Sequence, residues 1–271
     1  VKIAIVANGQ EKSKKIEKEL KVLIADTNAE IEMNSPDIVI TVGGDGTLLS
    51  AFHQYAHLLD KVRFVGIHTG HLGFYTDWRD YELAALVESL SKDQGNSVSY
   101  PLLEVHVTYG NNQQKKYLAL NESTIRNVNR TMVTDIFIKE ELFEVFRGDG
   151  LSIATPTGST AYNKSVGGAV LHPRINALQL TEIASLNNRV YRTLGSPVVI
   201  PSDEWIQLKL SEHGEYLLTI DQLNFKEQNI KKIVYKIAKE RIHFASYRHT
   251  HFWLRVRDAF ICDSKVGEAL E

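Results

Sequence analysis

Cysteine is nearly absent from this sequence: Cys262 is the only one in 271 residues. One cysteine excludes an intrachain disulfide framework and a Cys-rich zinc site. No apolar run is long enough to span a bilayer, and no charged-then-apolar leader opens the chain, so a cytoplasmic protein without membrane contact is expected. Charge of one sign is also lacking: the net charge is -2 with 24% charged residues. That balance excludes a general nucleic-acid binder and a polybasic membrane clamp. Repeats and low-complexity tracts are missing too. What remains is 43% hydrophobic, enough for one large core or two smaller ones. Leu270-Glu271 are set aside as foreign to the fold.

The first third alternates strand and helix signals. Lys2 to Ala7 reads as a strand. Glu11 to Asp26 reads as a helix with Ile16, Leu20, Leu23 and Ile24 on one face. Asp37 to Val42 is an apolar run suited to a parallel strand covered on both faces. A helix follows from about Gly46 to Leu59, then a strand at Arg63 to His68 and a helix at Glu82 to Leu90. This rhythm predicts a parallel α/β unit. Near Gly95-Asn96 the period becomes two. Leu103 to Tyr109, Tyr117 to Ile125, Met132 to Ile138, Trp205 to Leu210, Tyr216 to Ile220 and Ile233 to Ile237 read as strands, with turns such as Glu212-His213-Gly214 between some of them. Asn176 to Leu186 is expected to be helical, as is Phe252 to Ile261. The predicted fold is an α/β N-terminal domain, residues 1–96 with 252–271, plus a mostly antiparallel β domain, 97–251. The last helix is expected to pack back on the first domain.

The chemistry concentrates at Gly43-Gly44-Asp45-Gly46-Thr47. Here a buried strand ends in three glycines around one acid, and a helix begins. Glycine lets a ligand approach the backbone without a Cβ in the way. The amides of a helix N-terminus favour an anion, and open α/β sheets bind ligands at the carboxyl ends of their strands. Asp45 would repel a phosphate if it only bound one. Its presence points to proton acceptance from an attacking hydroxyl, or to the metal that accompanies ATP. A simple helix cap explains the Asp but not the three glycines.

Two other phosphate motifs fail. No G-x-G-x-x-G is present. Gly158 to Ser165 resembles a P-loop only at its Lys164-Ser165 end, with Asn163 where a second glycine belongs. Read whole, Ser152 to Asn163 is dense in hydroxyls around one aromatic, Tyr162, a composition suited to a purine or ribose beside a stacking surface. His68 and His71 form an H-x-x-H pair, but no carboxylate or cysteine in that segment completes a metal set. No protein-held metal is assigned. Arg241, Arg248, Arg255 and Arg257, set among Tyr247, Phe252 and Trp253, read as an ion-paired helix face rather than a nucleic-acid surface.

Together these segments resemble a family. The 43–47 loop, Asn121-Glu122 and Thr155 to Tyr162 occur in the order and approximate spacing of NAD kinases. Gly66 to Phe74 resembles that family's next loop. The likeness runs on through Phe146-Arg147-Gly148-Asp149-Gly150 to Phe252-Trp253, and is greatest to the form in low-GC Gram-positive bacteria. Two positions depart from the family: His68-Thr69-Gly70 replaces a common Asn-x-Gly, and Ser50 stands near where members often carry Arg or Lys.

The resemblance implies transfer of the ATP γ-phosphate to the 2′-hydroxyl of the adenosine ribose of NAD, with Mg²⁺ arriving on ATP. It implies that Asp45 is the proton acceptor and that Gly43, Gly44, Gly46 and Thr47 form the phosphate-donor loop. It places Asn121 and Glu122 on the adenine and ribose, and Thr160, Ala161, Tyr162, Asn163, Lys164 and Ser165 around the dinucleotide. Arg147, Asp149, Ala184 and Gln222 fall on further contact positions, some of them made across a subunit boundary, which implies a homo-oligomer, dimer or tetramer. A lipid or sugar kinase sharing the glycine–aspartate loop, and a silent dinucleotide-binding regulator, are the rival readings.

Overall fold

The computed structural model describes residues 1–70, 73–211, 214–248 and 251–261. His71, the Glu212-His213 part of a predicted turn, Cys262 and Leu270-Glu271 lie outside them. The chain divides into two compact units, 1–99 with 242–271, and 100–241. The sequence reading placed these boundaries after residues 96 and 251.

In the first unit, β1 (Lys2–Ala7), α1 (Glu11–Ala25), β2 (Glu30–Ile31), β3 (Ile38–Val42), α2 (Asp45–Gln54), β4 (Arg63–His68), β5 (Trp78–Arg79) and α3 (Leu83–Ser91) follow in order. Strands β2, β1, β3 and β4 pair in that sequence, all parallel, and β5 adds to β4. Every residue of β3 is buried, as a strand covered on both faces must be. Helix α1 buries Ile16, Leu20 and Ile24 with Ser13, whereas Leu23 only borders the core. Helix α2 stops at Gln54, before a short 3-10 turn at Ala56–Leu58, so the helix expected to reach Leu59 is broken.

The second unit is almost entirely strand. It holds most of β6 (Ser97–Tyr109), then β7 (Gln114–Ala119), β8 (Glu122–Asn127), β9 (Met132–Ile138), β10 (Glu141–Gly148) and β11 (Gly150–Ala154). After the single-turn helix α4 (Tyr162–Ser165) come β12 (Ala177–Ile183), β13 (Val198–Pro201), β14 (Ile206–Lys209), β15 (Glu215–Ile220), β16 (Leu223–Gln228) and β17 (Ile230–Ala245). One set of strands runs β13-β12-β11-β8-β15-β16, all antiparallel. A second runs β10-β9-β14-β17, and β6 pairs with β7 and β17. The core between inward faces holds Val105, Ile125, Phe146, Ile153, Leu180, Leu218 and Tyr235.

Two sequence readings are corrected here. Asn176 to Leu186 is not a helix: Ala177–Ile183 is strand β12, hydrogen-bonded on both sides by β11 and β13. Five consecutive buried residues hide its period of two. Gln179 is fully buried among them because its amide exchanges hydrogen bonds with both backbone groups of Ala169. Likewise Tyr117 to Ile125 is two strands, parted at Leu120-Asn121.

From Ile242, near the end of β17, the chain is back in the first unit, where Phe244 pairs parallel to Phe64 of β4. Helix α5 (Phe252–Phe260) packs against the first unit through Phe252 and Arg255, both buried.

Candidate active site

In the first unit the glycine–aspartate loop joins β3 to α2. The Gly43 amide donates to Ile67 O at 2.9 Å, tying the loop to β4. A Cβ on Gly43 would lie 2.2 Å from Thr47 Oγ1 and 2.8 Å from Asn8 Nδ2, so this glycine is needed for packing. Gly44 and Gly46 differ. Both are exposed, and a Cβ on either would meet no protein atom within 4 Å. Their smallness leaves room for something outside the protein. The Thr47 and Leu48 amides of the first turn of α2 donate to Gly44 O at 2.9 and 3.4 Å, and helix geometry leaves the Asp45 and Gly46 amides before them without an acceptor inside the helix.

Asp45 is half-buried at the first helical position. Its carboxylate accepts the Phe74 amide at Oδ2 (2.9 Å) and the Tyr75 amide at Oδ1 (3.1 Å). A cap would have bound its own helix; this side chain is instead aimed at a neighbouring loop. That loop is fixed in turn. Tyr75 stacks on Phe244 with ring centroids 5.9 Å apart, and Gly73 lies against Asp45 so closely that a Cβ would be 2.2 Å from Oδ1. His68 is buried, with Nδ1 3.0 Å from Gly70 O, and its Nε2 finds no hydrogen-bond partner among the described residues. Among the described residues no group of three or more His, Cys, Asp or Glu could hold a metal.

In the second unit the break between β7 and β8 creates a second centre. Asp221, with φ +51°, occupies the tight turn between β15 and β16. Its carboxylate collects the amides of Leu120 (2.9 Å), Asn121 (2.7 Å) and Glu122 (3.3 Å). The Asp221 amide returns a bond to Glu122 O at 2.9 Å. Glu122 is therefore a buried acid beside a second one. Burial first, and the charge of Asp221 second, push its carboxyl up to about 8, against the opposing pull of the Tyr162 amide that it accepts. Its Oε2 is buried without a hydrogen-bond partner among the described residues. At neutral pH this group carries a proton and can donate.

The hydroxyl-rich segment closes over this centre, and most of its hydroxyls are spent internally. Thr155 and Thr157 donate to Leu120 O at 2.6 and 3.0 Å, and Thr155 also reaches Asn121 O at 3.1 Å. Ser159 donates to Pro156 O at 2.6 Å and accepts the Leu171 amide at 2.8 Å. Gly158 passes so near Asn121 that a Cβ would be 2.0 Å from its carbonyl oxygen. Thr160 and Asn163 are buried, and Asn163 Oδ1 accepts the Thr181 hydroxyl at 2.8 Å. Ala161 and Tyr162 are half-buried, while Lys164, Ser165 and Gln222 are exposed. Gly158 lies in a 3-10 turn (Thr157–Thr160) that leads into the four-residue α4, not into the long helix that a P-loop needs.

Strand β11 sorts the remaining predicted residues. Its Ala154 end lies beside Glu122, and its Gly150 end beside Arg126 of β8 and Ile183 of β12. Asn121, Glu122, Thr160 to Ser165 and Gln222 gather at the first end. Arg147, Asp149 and Ala184 gather at the other: the Asp149 amide donates to Ile183 O (3.0 Å), Leu186 to Arg147 O (2.7 Å), and Ala184 has φ +46°. At ~3.3 Å per strand residue the two groups are about 13 Å or more apart within one chain.

Sequence reasoning missed two residues. Asp221 carried a signal, an Asp in a strand-to-strand turn where left-handed φ favours it. Arg255 carried none: read as part of a solvated ion-paired helix face, it is 6% exposed and donates to Gly73 O (2.8 Å) and Thr76 O (3.1 Å) while pairing with Asp77. Arg248 is ion-paired, with Glu82 at 2.6 Å, but it precedes α5 and Arg241 lies in β17, so neither stands on the expected helix face.

Residues 4–94 match the family model of the ATP-NAD kinase N-terminal domain, and residues 120–243 that of the ATP-NAD kinase C-terminal domain. The chain is 64% identical to the NAD kinase of Enterococcus faecalis, over 96% of this chain and 99% of that protein. To the NAD kinase of Streptococcus mutans it is 54% identical, over 97% and 96%. Among solved structures it superposes on yeast NADH kinase complexed with NADH, TM-score 0.83 at 19% identity, over 97% of this chain and 88% of that one. An NAD kinase from Archaeoglobus fulgidus in complex with ATP gives TM-score 0.70 at 23% identity, over 95% and 99%.

Proposed function

The chain belongs to the ATP–NAD kinase family, an enzyme family that phosphorylates NAD, and from that premise we propose how its own residues carry the reaction. Asp45 accepts the proton of the adenosine 2′-hydroxyl of NAD as that oxygen attacks the γ-phosphate of ATP. The observation that carries this is the placement of Asp45. Its carboxylate is oriented by two amides at the mouth of a helix N-terminus, between two glycines whose missing side chains leave open space. Gly43 and Thr47 brace the loop, and Gly44 and Gly46 let triphosphate oxygens reach the backbone.

Phosphoryl transfer needs positioning and charge neutralisation more than covalent chemistry. Mg²⁺ enters as part of the MgATP substrate, where phosphates and one or two carboxylates suffice to hold it. Asp45 is the carboxylate of the loop that fits such a contact. Asn121 and Glu122 hold the adenine and ribose, with a neutral Glu122 able to donate as well as accept. Tyr162 stacks on a ring of the dinucleotide, flanked by Thr160, Ala161, Asn163, Lys164, Ser165 and Gln222. The lipid- or sugar-kinase reading finds no support in a centre built for a nucleoside, and neither does the silent regulator while Asp45 is intact.

Arg147, Asp149 and Ala184 stand a strand's length from that centre, which favours their use toward a neighbouring copy's dinucleotide in a dimer or tetramer. Exposed Leu142, Phe143, Val190 and Leu194 supply apolar surface on the same side, with the Leu194 amide bonded to Glu144 of β10 at 2.9 Å. No described helix is long and apolar enough to cross a membrane.

The test is NADP formation from NAD, ATP and Mg²⁺. Asp45→Asn is expected to keep NAD affinity and lose about 10²–10⁴-fold in kcat; near wild-type turnover removes Asp45 from the proton-acceptor role. Equal NAD affinity in Tyr162→Phe and Tyr162→Ala would remove the stacking.

A further inference from the structure

Helix α5 lies far in sequence from Asp45 yet is bonded to the loop that orients it. The Phe74 and Tyr75 amides fix both carboxylate oxygens of Asp45. Within the loop that carries those amides, the Gly73 amide makes one long anchor, to Thr76 Oγ1 at 3.4 Å. Arg255 supplies stronger ones. Its Nη1 donates to Gly73 O at 2.8 Å and to Thr76 O at 3.1 Å, bracketing the Phe74-Tyr75 pair, while Nη2 pairs with Asp77. The side chain is 7% exposed. Two further residues of α5 hold the same loop, since Phe74 packs between Phe252 (centroids 6.4 Å) and Phe260 (5.7 Å). A buried guanidinium spent on two carbonyls and a carboxylate is a costly way to hold a surface helix. It is a rigid way to hold a loop, because the planar fork fixes several acceptors at once.

We propose that Arg255 is a positioning residue for Asp45: it clamps the carbonyls of Gly73 and Thr76 so that the Phe74 and Tyr75 amides hold the Asp45 carboxylate in its reactive orientation. The inference rests on the proton-acceptor reading of Asp45. Arg255 touches no substrate in this role. Its loss acts on kcat, through the freedom Asp45 regains, and hardly on binding, because a small misplacement of a reacting group is enough to slow the chemical step.

The experiment compares wild type, Arg255→Ala, Arg255→Lys, Asp45→Asn and the double variant Asp45→Asn/Arg255→Ala in the full chain, with Arg257→Ala as a surface control. Steady-state kinetics for NAD and ATP are read beside thermal melting. Arg255→Ala is expected to lose about 10²-fold in kcat with both KM values within ~3-fold. Millimolar guanidinium is expected to restore part of that loss. Residues that act as a unit are non-additive, so the double variant should be no slower than Asp45→Asn alone.

A kcat for Arg255→Ala within ~3-fold of wild type, or a double variant in which the two losses multiply, overturns the clamp. Should Arg255→Ala not fold, Arg255→Lys decides. It keeps the charge but loses the fork, so about 10-fold lower kcat at unchanged KM supports the proposal, and wild-type kcat overturns it. Wild-type turnover by Asp45→Asn would instead sink the proton-acceptor reading, a result visible without any Arg255 variant.

Discussion

Gly73 leaves no space between itself and Asp45: a Cβ there would sit 2.2 Å from Oδ1 and 2.9 Å from Oδ2 of the carboxylate. Both residues belong to loops at the carboxyl ends of parallel strands, and the glycine lets one loop's amides close on the other's acid. Gly73→Ala is expected to push Asp45 off the Phe74 and Tyr75 amides, at a cost on the order of 1–3 kcal/mol. Turnover should fall at least ~10-fold while NAD and ATP affinities stay within a few-fold. Isothermal titration beside steady-state kinetics separates the two effects.

Glu122 makes stability depend on pH in an unusual direction. The unfolded chain releases this proton near the ordinary 4.5, and the folded chain holds it up to about 8. Between those values the folded state binds more protons than the unfolded one, so stability falls as pH rises through the window. Glu122→Gln keeps the shape and cannot ionise. Its melting temperature should equal that of the wild type near the acid end, exceed it increasingly up to about pH 8, and keep a constant lead above that. Melting curves for the two proteins that stay parallel across that range would mean Glu122 is charged in the fold.

Asp221 holds three consecutive amides at the β7–β8 break. Asp221→Ala strands them and should cost on the order of 2–4 kcal/mol. It should also weaken NAD binding more than it lowers kcat, because Asn121 and Glu122 lose their backbone anchor. Urea denaturation and NAD titration check this, with Asp221→Asn expected between Ala and wild type.

Gly158 meets backbone, not a flexible side chain, at 2.0 Å from Asn121 O. Gly158→Ala has no cheap relaxation and should destabilise the second unit by about 3 kcal/mol or more. A variant that melts within ~1 °C of wild type would show that the segment can move away from β8.

The parallel unit was legible in the sequence because its signals are local. Strands β1, β3 and β4 are short apolar runs, and the glycines end β3 where the helix begins. The β-rich unit was legible as a class, but not strand by strand. Residues 177–183 lost their alternation because both faces are covered, and Leu120-Asn121 broke a strand for reasons set by Asp221, a hundred residues away. Thr155, Thr157 and Ser159 read as ligand-facing hydroxyls, yet their hydroxyls go to backbone carbonyls that composition cannot locate.

The sequence by itself determined the two-unit organisation, the glycine–aspartate loop between strand and helix and the family to which its spaced motifs point, because each of these is written in contiguous residues. Tertiary structure alone decided which groups hold Asp45, which acid raises Glu122, and that Arg255 is buried under its own helix. Those facts depend on amides, carbonyls and a second carboxylate brought from distant segments, and backbone groups are the same in every sequence. The split of the proposed dinucleotide-contact residues between the two ends of β11 was decided in the same way, by strand register.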